Sequence, residues 1–472
     1  MEGFDEEIEE PVSPTGQYLN SSSLCVSILG ILESEIPIDD HQTLSLLQNV
    51  FLPINTRFSS IMINDQNGEK KWKKVEVNLQ EHVHIPKFPS TNSSLYDENL
   101  EDYMSKISME HLPQNRPLWE IHIIKYPTKD AAGTLVFKLH HALGDGFSLM
   151  GALLSCLERY DNPSLPFTLP TSQRPKSVFN PKPFFKRSIL FPSTFFSKVF
   201  NTVSDFGWSM LKSSLVEDDV TPIRSRADDI KLRKIIISSV NFSMDRIKEV
   251  KSRLRVSTND VIAGLIFYGI RLYMAQMNQE SSKHKSTALV LLNTRNIGGY
   301  KSLKEMVEIK KNTQNSIWGN QFAFLHVPIP ELSDTSIDNP IEFIWEAQKE
   351  INRKKNSLAT PLTGVVLNMV KKLRGPEASA RFVYNTLRNS SATFSNIIGP
   401  VEKMALANHP VKGLYFMVVG PPESLTITMT SYMGKLRIAF GLEKDFIDKQ
   451  KFMSCIETSL EMMITASRKI SK

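Results

Sequence analysis

The chain has 472 residues, 41% of them apolar, and its 56 lysines and arginines exceed its 50 acids to give a net charge of +6. That length asks for two domains rather than one, and the apolar share excludes a disordered chain. The small charge excess excludes a nucleic-acid footprint, and Cys25, Cys156 and Cys455 are too few and too far apart for a disulfide framework or a metal pair.

Cysteine usage fits a reducing, cytosol-facing location. The first ten residues, MEGFDEEIEE, lack the apolar stretch of a signal peptide. No uninterrupted apolar run reaches the roughly 18–20 residues of a spanning helix. The expectation is a protein that is soluble or lies on a membrane surface.

Taken in chain order, an acidic leader ends in EPVSPTGQYL, and a helix is predicted after Asp39-Asp40, with Leu44, Leu47 and Phe51 on one face. GTLVFKLHH at 133–141 alternates, with Leu135, Phe137, Leu139 and His141 to one side, the pattern of a half-buried strand. FSLMGALLSCLERY at 147–160 reads as a helix, which puts HHALGDG at 140–146 in the turn between them. Residues 161–215 are rich in proline and phenylalanine, and 171–200 hold six Lys/Arg and no acid, so the stretch reads as a linker rather than core. Beyond it, DDIKLRKIIISSVNF is a strand region and STNDVIAGLIFYGIRLYMAQ a long apolar helix started by Ser257 to Asp260. STALVLLNTRN is a strand ending at Arg295, IDNPIEFIWEAQKEINRKK an amphipathic helix, and LTITMTSYMGKLRIAFGLE a hairpin turning near Met433-Gly434. The mixture gives an α/β or α+β class with large sheets.

Acyl transfer to an alcohol needs a base for the hydroxyl proton, donors for the oxyanion and two substrates held together. A histidine, with an ordinary pKa near 6.5, suits the base. Asp145, beyond a tight turn with Gly144 and Gly146, can bind the turn backbone or an arginine and lock the loop that positions the histidine. No Gly-x-Ser-x-Gly elbow, P-loop or GxGxxG is present. On spacing alone, HHALGDG is more often a plain turn than a catalytic motif.

HHALGDG resembles the HHxxxDG motif of the CoA-dependent acyltransferase superfamily. The chain as a whole resembles the plant-type wax ester synthase/acyl-CoA:diacylglycerol acyltransferase family. The likeness runs in order through EPVSPTGQYL at 10–19, NRPLWEIHII at 115–124, STNDVIAG at 257–264, LLNTRN at 291–296, WGNQFAFLHVPIP at 318–330, SNIIGP at 395–400 and SYMGKL at 431–436. DFGW at 205–208 resembles the DFGWG of plant alcohol acyltransferases, but it lies only about sixty residues after the histidines and is followed by Ser209, so it reads as coincidence.

The resemblance implies two chloramphenicol-acetyltransferase-like domains of mixed α/β build, 1–170 and 231–472, joined by a crossover at 171–230, with a substrate tunnel at their interface. It implies His141 as general base, His140 as an orienting or structural neighbour, Asp145 as a support paired with Arg295, and Gly146 in the motif turn. Asn259, Asp260, Ser395 and Asn396 would lie toward the tunnel. For Asn259 and Asp260 the other reading is a helix start, and for Ser395 and Asn396 a strand-ending turn. Pro117 and Trp119 read as packing.

Acyl-CoA is implied as co-substrate, with no bound cofactor and no metal. A fatty alcohol or diacylglycerol would be the acceptor, giving wax ester or triacylglycerol. Another alcohol acceptor, or a non-catalytic lipid-binding protein of the same fold, are the alternatives. The basic, phenylalanine-rich stretch at 171–215, with Phe184, Phe185, Phe195 and Phe196, suggests membrane attachment. The cytosolic face of the endoplasmic reticulum is the expected place, with the cytoplasm and plasma membrane as alternatives.

Overall fold

The computed structural model describes residues 10–66, 70–89, 96–167, 204–212, 215–225, 233–295, 318–333, 339–355, 357 and 359–470. The strands, in order, are β1 (Glu10–Pro11), β2 (Ser27–Ser34), β3 (Ser60–Asn64), β4 (Lys70–Lys74), β5 (Val83–His84), β6 (Trp119–Ile124), β7 (Gly133–His140), β8 (Leu157–Arg159), β9 (Ile235–Ser243), β10 (Thr287–Asn293), β11 (Phe322–Pro328), β12 (Ala392–Ile398), β13 (Met404–Leu406), β14 (His409–Val419), β15 (Leu425–Tyr432) and β16 (Lys435–Glu443). The helices used below are α1 (Tyr96–Met109), α2 (Gly146–Ser155), α3 (Thr258–Met277), α4 (Glu342–Lys355), α5 (Ala359–Arg374), α6 (Pro376–Arg388) and α7 (Lys449–Lys469).

Two large sheets carry the fold, one in the order β5-β6-β7-β2-β14-β13-β8 and the other β11-β10-β12-β15-β16-β9, beside a small sheet β1-β4-β3. After β12 the chain leaves the second sheet, adds β13 and β14 to the first, and returns at β15. The sheets are also pinned by side chains. Arg437 of β16 donates to Glu33 of β2 at 2.5 Å and lies 4.0 Å over the Tyr415 ring of β14. The Thr428 hydroxyl of β15 donates to the Phe416 carbonyl of β14. Leu29, Ile31, Val136 and Met417 of the first sheet share a buried cluster with Ile237 and Ala439 of the second. Each leucine, isoleucine, valine or methionine among them, removed from water, contributes roughly 1.5–3 kcal/mol before ordering costs.

The second sheet is covered by α3, α4 and α7, whose Ile266, Phe267, Ile344, Ile456 and Leu460 are buried. Helix α3 begins where expected. Ser257 caps it, and Asp260 returns the bond to the Ser257 amide in a capping box. The β15–β16 hairpin turns on Met433 and Gly434, both at positive φ (48° and 72°), the geometry of a two-residue loop that follows the twist of its strands.

Three expectations are corrected. Strand β7 is buried along its whole length rather than on one face. It sits between β6 and β2, with Leu135, Phe137 and Leu139 in one core and Val136 in another, and Lys138 donates its ammonium to the Glu110 carbonyl at 2.7 Å. The helix predicted to Tyr160 stops at Ser155, because Leu157–Arg159 pairs with Met404–Leu406 as the sheet edge. The part of the expected linker at 204–212 is helical and packed: Asp205 meets Arg353 (2.9 Å) and Lys354 (3.0 Å), and Lys212 is fully buried against Asp218. Phe184, Phe185, Phe195 and Phe196 lie outside the described residues.

Candidate active site

Strand β7 delivers the two histidines to the end of the first sheet. The His140 amide donates to the Leu118 carbonyl at 3.0 Å and the His141 amide to the Val26 carbonyl at 2.9 Å, so ladder-like bonds continue through both residues. The chain then turns, and Asp145 caps α2 by accepting from the Ser148 amide. The sequence turns here because Gly144 and Gly146 flank an aspartate, the residue type that best satisfies the bare amides of a helix start.

His141 is 5% exposed. Its Nδ1 lies 2.8 Å from Asn320 Oδ1, and Asn320 Nδ2 donates back to the His141 carbonyl at 2.9 Å. Because the amide nitrogen must donate to that carbonyl, the amide oxygen faces the ring, and Nδ1 carries the proton. Nε2 is then the lone-pair nitrogen, and among the described residues it has no hydrogen-bond partner. Burial pushes the imidazole below its ordinary pKa, against the opposing pull of Asp145 and Asn320. The ring is therefore neutral at pH 7, with a base nitrogen available.

Asp145 is the hub of a hydrogen-bond network. Arg295 grips it with two bonds, Nη1 to Oδ2 at 2.7 Å and Nη2 to Oδ1 at 3.0 Å, with both side chains almost fully buried. The Gln321 amide donates to Oδ2 at 2.8 Å, so four donors converge on this carboxylate. The same guanidinium donates to Ser148 Oγ (3.1 Å) and the Gly319 carbonyl (2.7 Å). Gly319 holds φ +119°, a conformation in which a side chain would be strained. Arg295, residues 318–321, Asp145 and Ser148 thus form one closed network behind His141. Two further bonds reach the Leu143 carbonyl in the turn, from Arg57 (3.1 Å) and Trp318 (2.8 Å).

His140 is fully buried, with Nδ1 accepting from the Ala142 amide at 3.0 Å and Nε2 3.4 Å from Cys25 Sγ. Burial holds it down to about 3, so it stays neutral and serves the turn. Gly146 passes so close to Ile397 that an added Cβ would meet Cδ1 at 2.9 Å. Asp260 is committed to the α3 cap and to Gln348 (3.1 Å). Asn259 and Asn396 bond to each other at 3.0 Å, both exposed, and Ser395 is half-buried on the same strand. No hydrogen bond ties these four to His141 among the described residues. Asn320 and Ser148 were not singled out by sequence reasoning. The Trp-Gly-Asn run at 318–320 was the available signal, a side-chain amide beside a glycine able to take positive φ.

The Phe322 ring packs on the imidazole with centroids 5.4 Å apart, and it also lines an apolar cavity of about 450 Å³. Phe324, Leu367, Phe382 and Val383 line the same space, with Thr294, His326 and Thr386 as polar members of its wall. A second cavity, of about 700 Å³ and mixed polarity, lies on the His140 side, with Cys25, Arg233, Arg381, Tyr384 and Glu423 in its wall. Helix α6 separates them, with Phe382 and Val383 toward the first and Arg381 and Tyr384 toward the second.

Residues 55–262 match the family model "Wax ester synthase/diacylglycerol acyltransferase catalytic domain", and residues 318–464 match "WS/DGAT C-terminal domain". The chain is 30% identical to wax ester synthase/diacylglycerol acyltransferase 5 of Arabidopsis thaliana, covering 96% of this chain and 93% of that one. It is 29% identical to wax ester synthase/diacylglycerol acyltransferase 4 of the same plant, covering 99% and 92%. Among solved structures it is similar to the wax ester synthase/diacylglycerol acyltransferase from Marinobacter aquaeolei VT8, with a TM-score of 0.60 at 15% identity over 97% of this chain and 100% of that one. A starter condensation domain of rhizomide synthetase, solved with C8-CoA and Leu-SNAC, gives a TM-score of 0.56 at 11% identity over 99% and 97%. These two likenesses speak for the fold alone.

Proposed function

This chain belongs to the wax ester synthase/diacylglycerol acyltransferase family, and from that premise we propose that it transfers a long-chain acyl group from acyl-CoA to a fatty alcohol, a diacylglycerol, or both. The observation that carries the reading is the His141–Asn320 bond, which leaves Nε2 of a neutral, buried imidazole as the proton acceptor. The alcohol gives its proton to Nε2 as its oxygen attacks the thioester carbonyl. The C–S bond then breaks, and the proton passes from Nε2 to the departing thiolate. General-base help of this kind is worth ~10²–10⁴-fold, and holding both substrates in one geometry contributes much of the rest. The test is a yeast strain lacking neutral lipid synthesis, expressing the chain and fed fatty alcohol. Wax ester or triacylglycerol above the empty strain supports the reading. Neither product, together with no thiol release by the purified protein on any acceptor, overturns it.

Asn320 acts on His141 rather than on substrate. Asn320→Ala frees the tautomer and should lower turnover by roughly 10²-fold or more, with little change in KM. Asn320→Asp places a carboxylate on Nδ1 and stabilises the imidazolium. The acid limb of the pH–rate profile should then move to higher pH than in the wild type. An unmoved limb would mean that Asn320 does not set the protonation of His141.

We assign the apolar cavity behind Phe322 to a lipid chain. Such cavities suit an alkyl ligand because every wall atom that replaces water is favourable. Leu367→Trp fills part of it and should shift preference toward shorter chains, read as the ratio of ester formed from short and long substrates. An unchanged ratio would place the chain elsewhere. We also propose peripheral attachment to a membrane surface, at the cytosolic face of the endoplasmic reticulum, where both lipid substrates would be met. Among the described residues, no helix is long and apolar enough to cross a membrane.

A further inference from the structure

Helix α5 (Ala359–Arg374) turns an apolar stripe to solvent. Leu362, Val365, Met369 and Leu373 are 41%, 55%, 56% and 82% exposed. At 3.6 residues per turn these four fall within about 80° of one another. Thr363, Gly364 and Leu367, on the other side of the helix, line the apolar cavity that reaches Phe322. A core helix points its apolar stripe inward, whereas this one lines a cavity with one side and, among the described residues, has a second apolar face exposed.

A second helix does the same. At 204–212, Asp205, Ser209 and Lys212 are buried, and Ser209 lines that same cavity. Its outward residues are Trp208 and Leu211, 40% and 44% exposed, followed by Leu215 at 78%. An exposed apolar stripe of this kind is rare on a soluble chain unless something covers it. The charges around it say what. No carboxylate occurs between 359 and 374, and the last turn of α5 carries Lys371, Lys372 and Arg374. On α5, leucine, valine and methionine outward with cations in the last turn is the composition of a helix that lies in the plane of a lipid interface facing anionic headgroups, whereas Leu215 beside the second helix is followed by the acids Glu217, Asp218 and Asp219.

We infer that the outer faces of α5 and of the helix at 204–212 dock on an anionic lipid bilayer, with the apolar cavity leading from that surface toward His141. The lipid chain then passes from membrane to cavity along one apolar wall. This inference rests on the proposed lipid substrates for its purpose, but the docking surface is tested without turnover.

The experiment is flotation of the full-length protein with vesicles of phosphatidylcholine alone and of phosphatidylcholine with phosphatidylserine. The wild type should float with both and more completely with the anionic vesicles. The variant Leu362→Ser/Val365→Ser/Met369→Ser/Leu373→Ser should partition about 100-fold or more weakly into either. Lys372→Gln/Arg374→Gln should weaken binding to the anionic vesicles by about 30-fold, near five-fold per charge, and leave the neutral vesicles unaffected. A parallel variant changes Phe184, Phe185, Phe195 and Phe196 to Ser. If only that variant stops floating, or if the wild type does not float, the docking surface is wrong. If the wild type sediments as a dimer that the four serine changes convert to a monomer, without altering flotation, the stripe meets a second copy and the inference falls. Turnover on detergent-dispersed substrates should match the wild type in the α5 variants. A wild type that floats but turns over nothing would sink the proposed activity and leave the docking surface standing.

Discussion

His141→Ala should abolish ester formation, lowering turnover by ~10²–10⁴-fold, while the protein still melts cooperatively. Among the described residues the side chain makes one hydrogen bond, to Asn320, and one ring contact, to Phe322, so its loss opens a small gap without stranding a charge. His140→Ala should behave differently. That ring is fully buried between the Ala142 amide and Cys25, so its removal leaves an amide short of an acceptor and should cost stability first and activity second. The pH profile separates base loss from unfolding. Burial lowers the His141 pKa below the ordinary 6.5, so the neutral base persists at pH 7 and turnover should fall only below pH 6.5. Burial also holds His122, His140 and His326 down to about 3. The unfolded chain binds those protons near 6.5 and the folded one does not, so stability is full above pH 6.5 and declines as pH falls toward 3. Rates taken after return to pH 7.5 will show which loss is reversible ionisation. A His141→Ala protein with near-normal turnover, correctly folded, would end the proposed mechanism.

Much of this frame is legible in local pattern. The β15–β16 hairpin announces itself through alternation around Met-Gly, and the α3 start through Ser-Thr-Asn-Asp, because both depend on residues a few positions apart. What local pattern misses is set by distant contacts. Lys138 and His140 look like the wet face of β7, yet each is buried because a remote group accepts it, the Glu110 carbonyl and Cys25 respectively. Leu157–Arg159 reads as helix, but Met404–Leu406 claims it as a strand across some 245 positions. Asn320 meets His141 across 179 positions, and nothing in the spacing of either residue signals that meeting. The dipeptide Asn-Asp at 259–260 is a case in which local pattern does account for what the structure shows. Its appeal as a site came from resemblance, whereas Asp260 spends its carboxylate on the cap that its sequence already prescribes.

The pairing of Asp145 with Arg295 should appear as strong, sub-additive destabilisation. Asp145→Asn keeps one acceptor oxygen but turns the other position into a donor, facing donors from Arg295 and Gln321. Arg295→Gln keeps the stem and withdraws the charge, leaving a buried carboxylate with only the Ser148 and Gln321 amides. Each single change strands a charge in a nearly fully buried site, and breaking such a pair from one side typically costs ~3–5 kcal/mol. The double variant strands neither, so it should lose less than the sum, by an interaction of about 0.5–3 kcal/mol. It should not recover fully, because Arg295 also donates to Ser148 Oγ and the Gly319 carbonyl, and those bonds go with it. Activity should fall with stability in all three, since residues 318–321 hold Asn320 against His141 and are themselves held by this carboxylate and guanidinium. Denaturant melts of the four proteins measure the coupling. Additive losses would show that the two residues act independently, and the positioning of His141 would then rest on Arg57 and Trp318 at the Leu143 carbonyl instead.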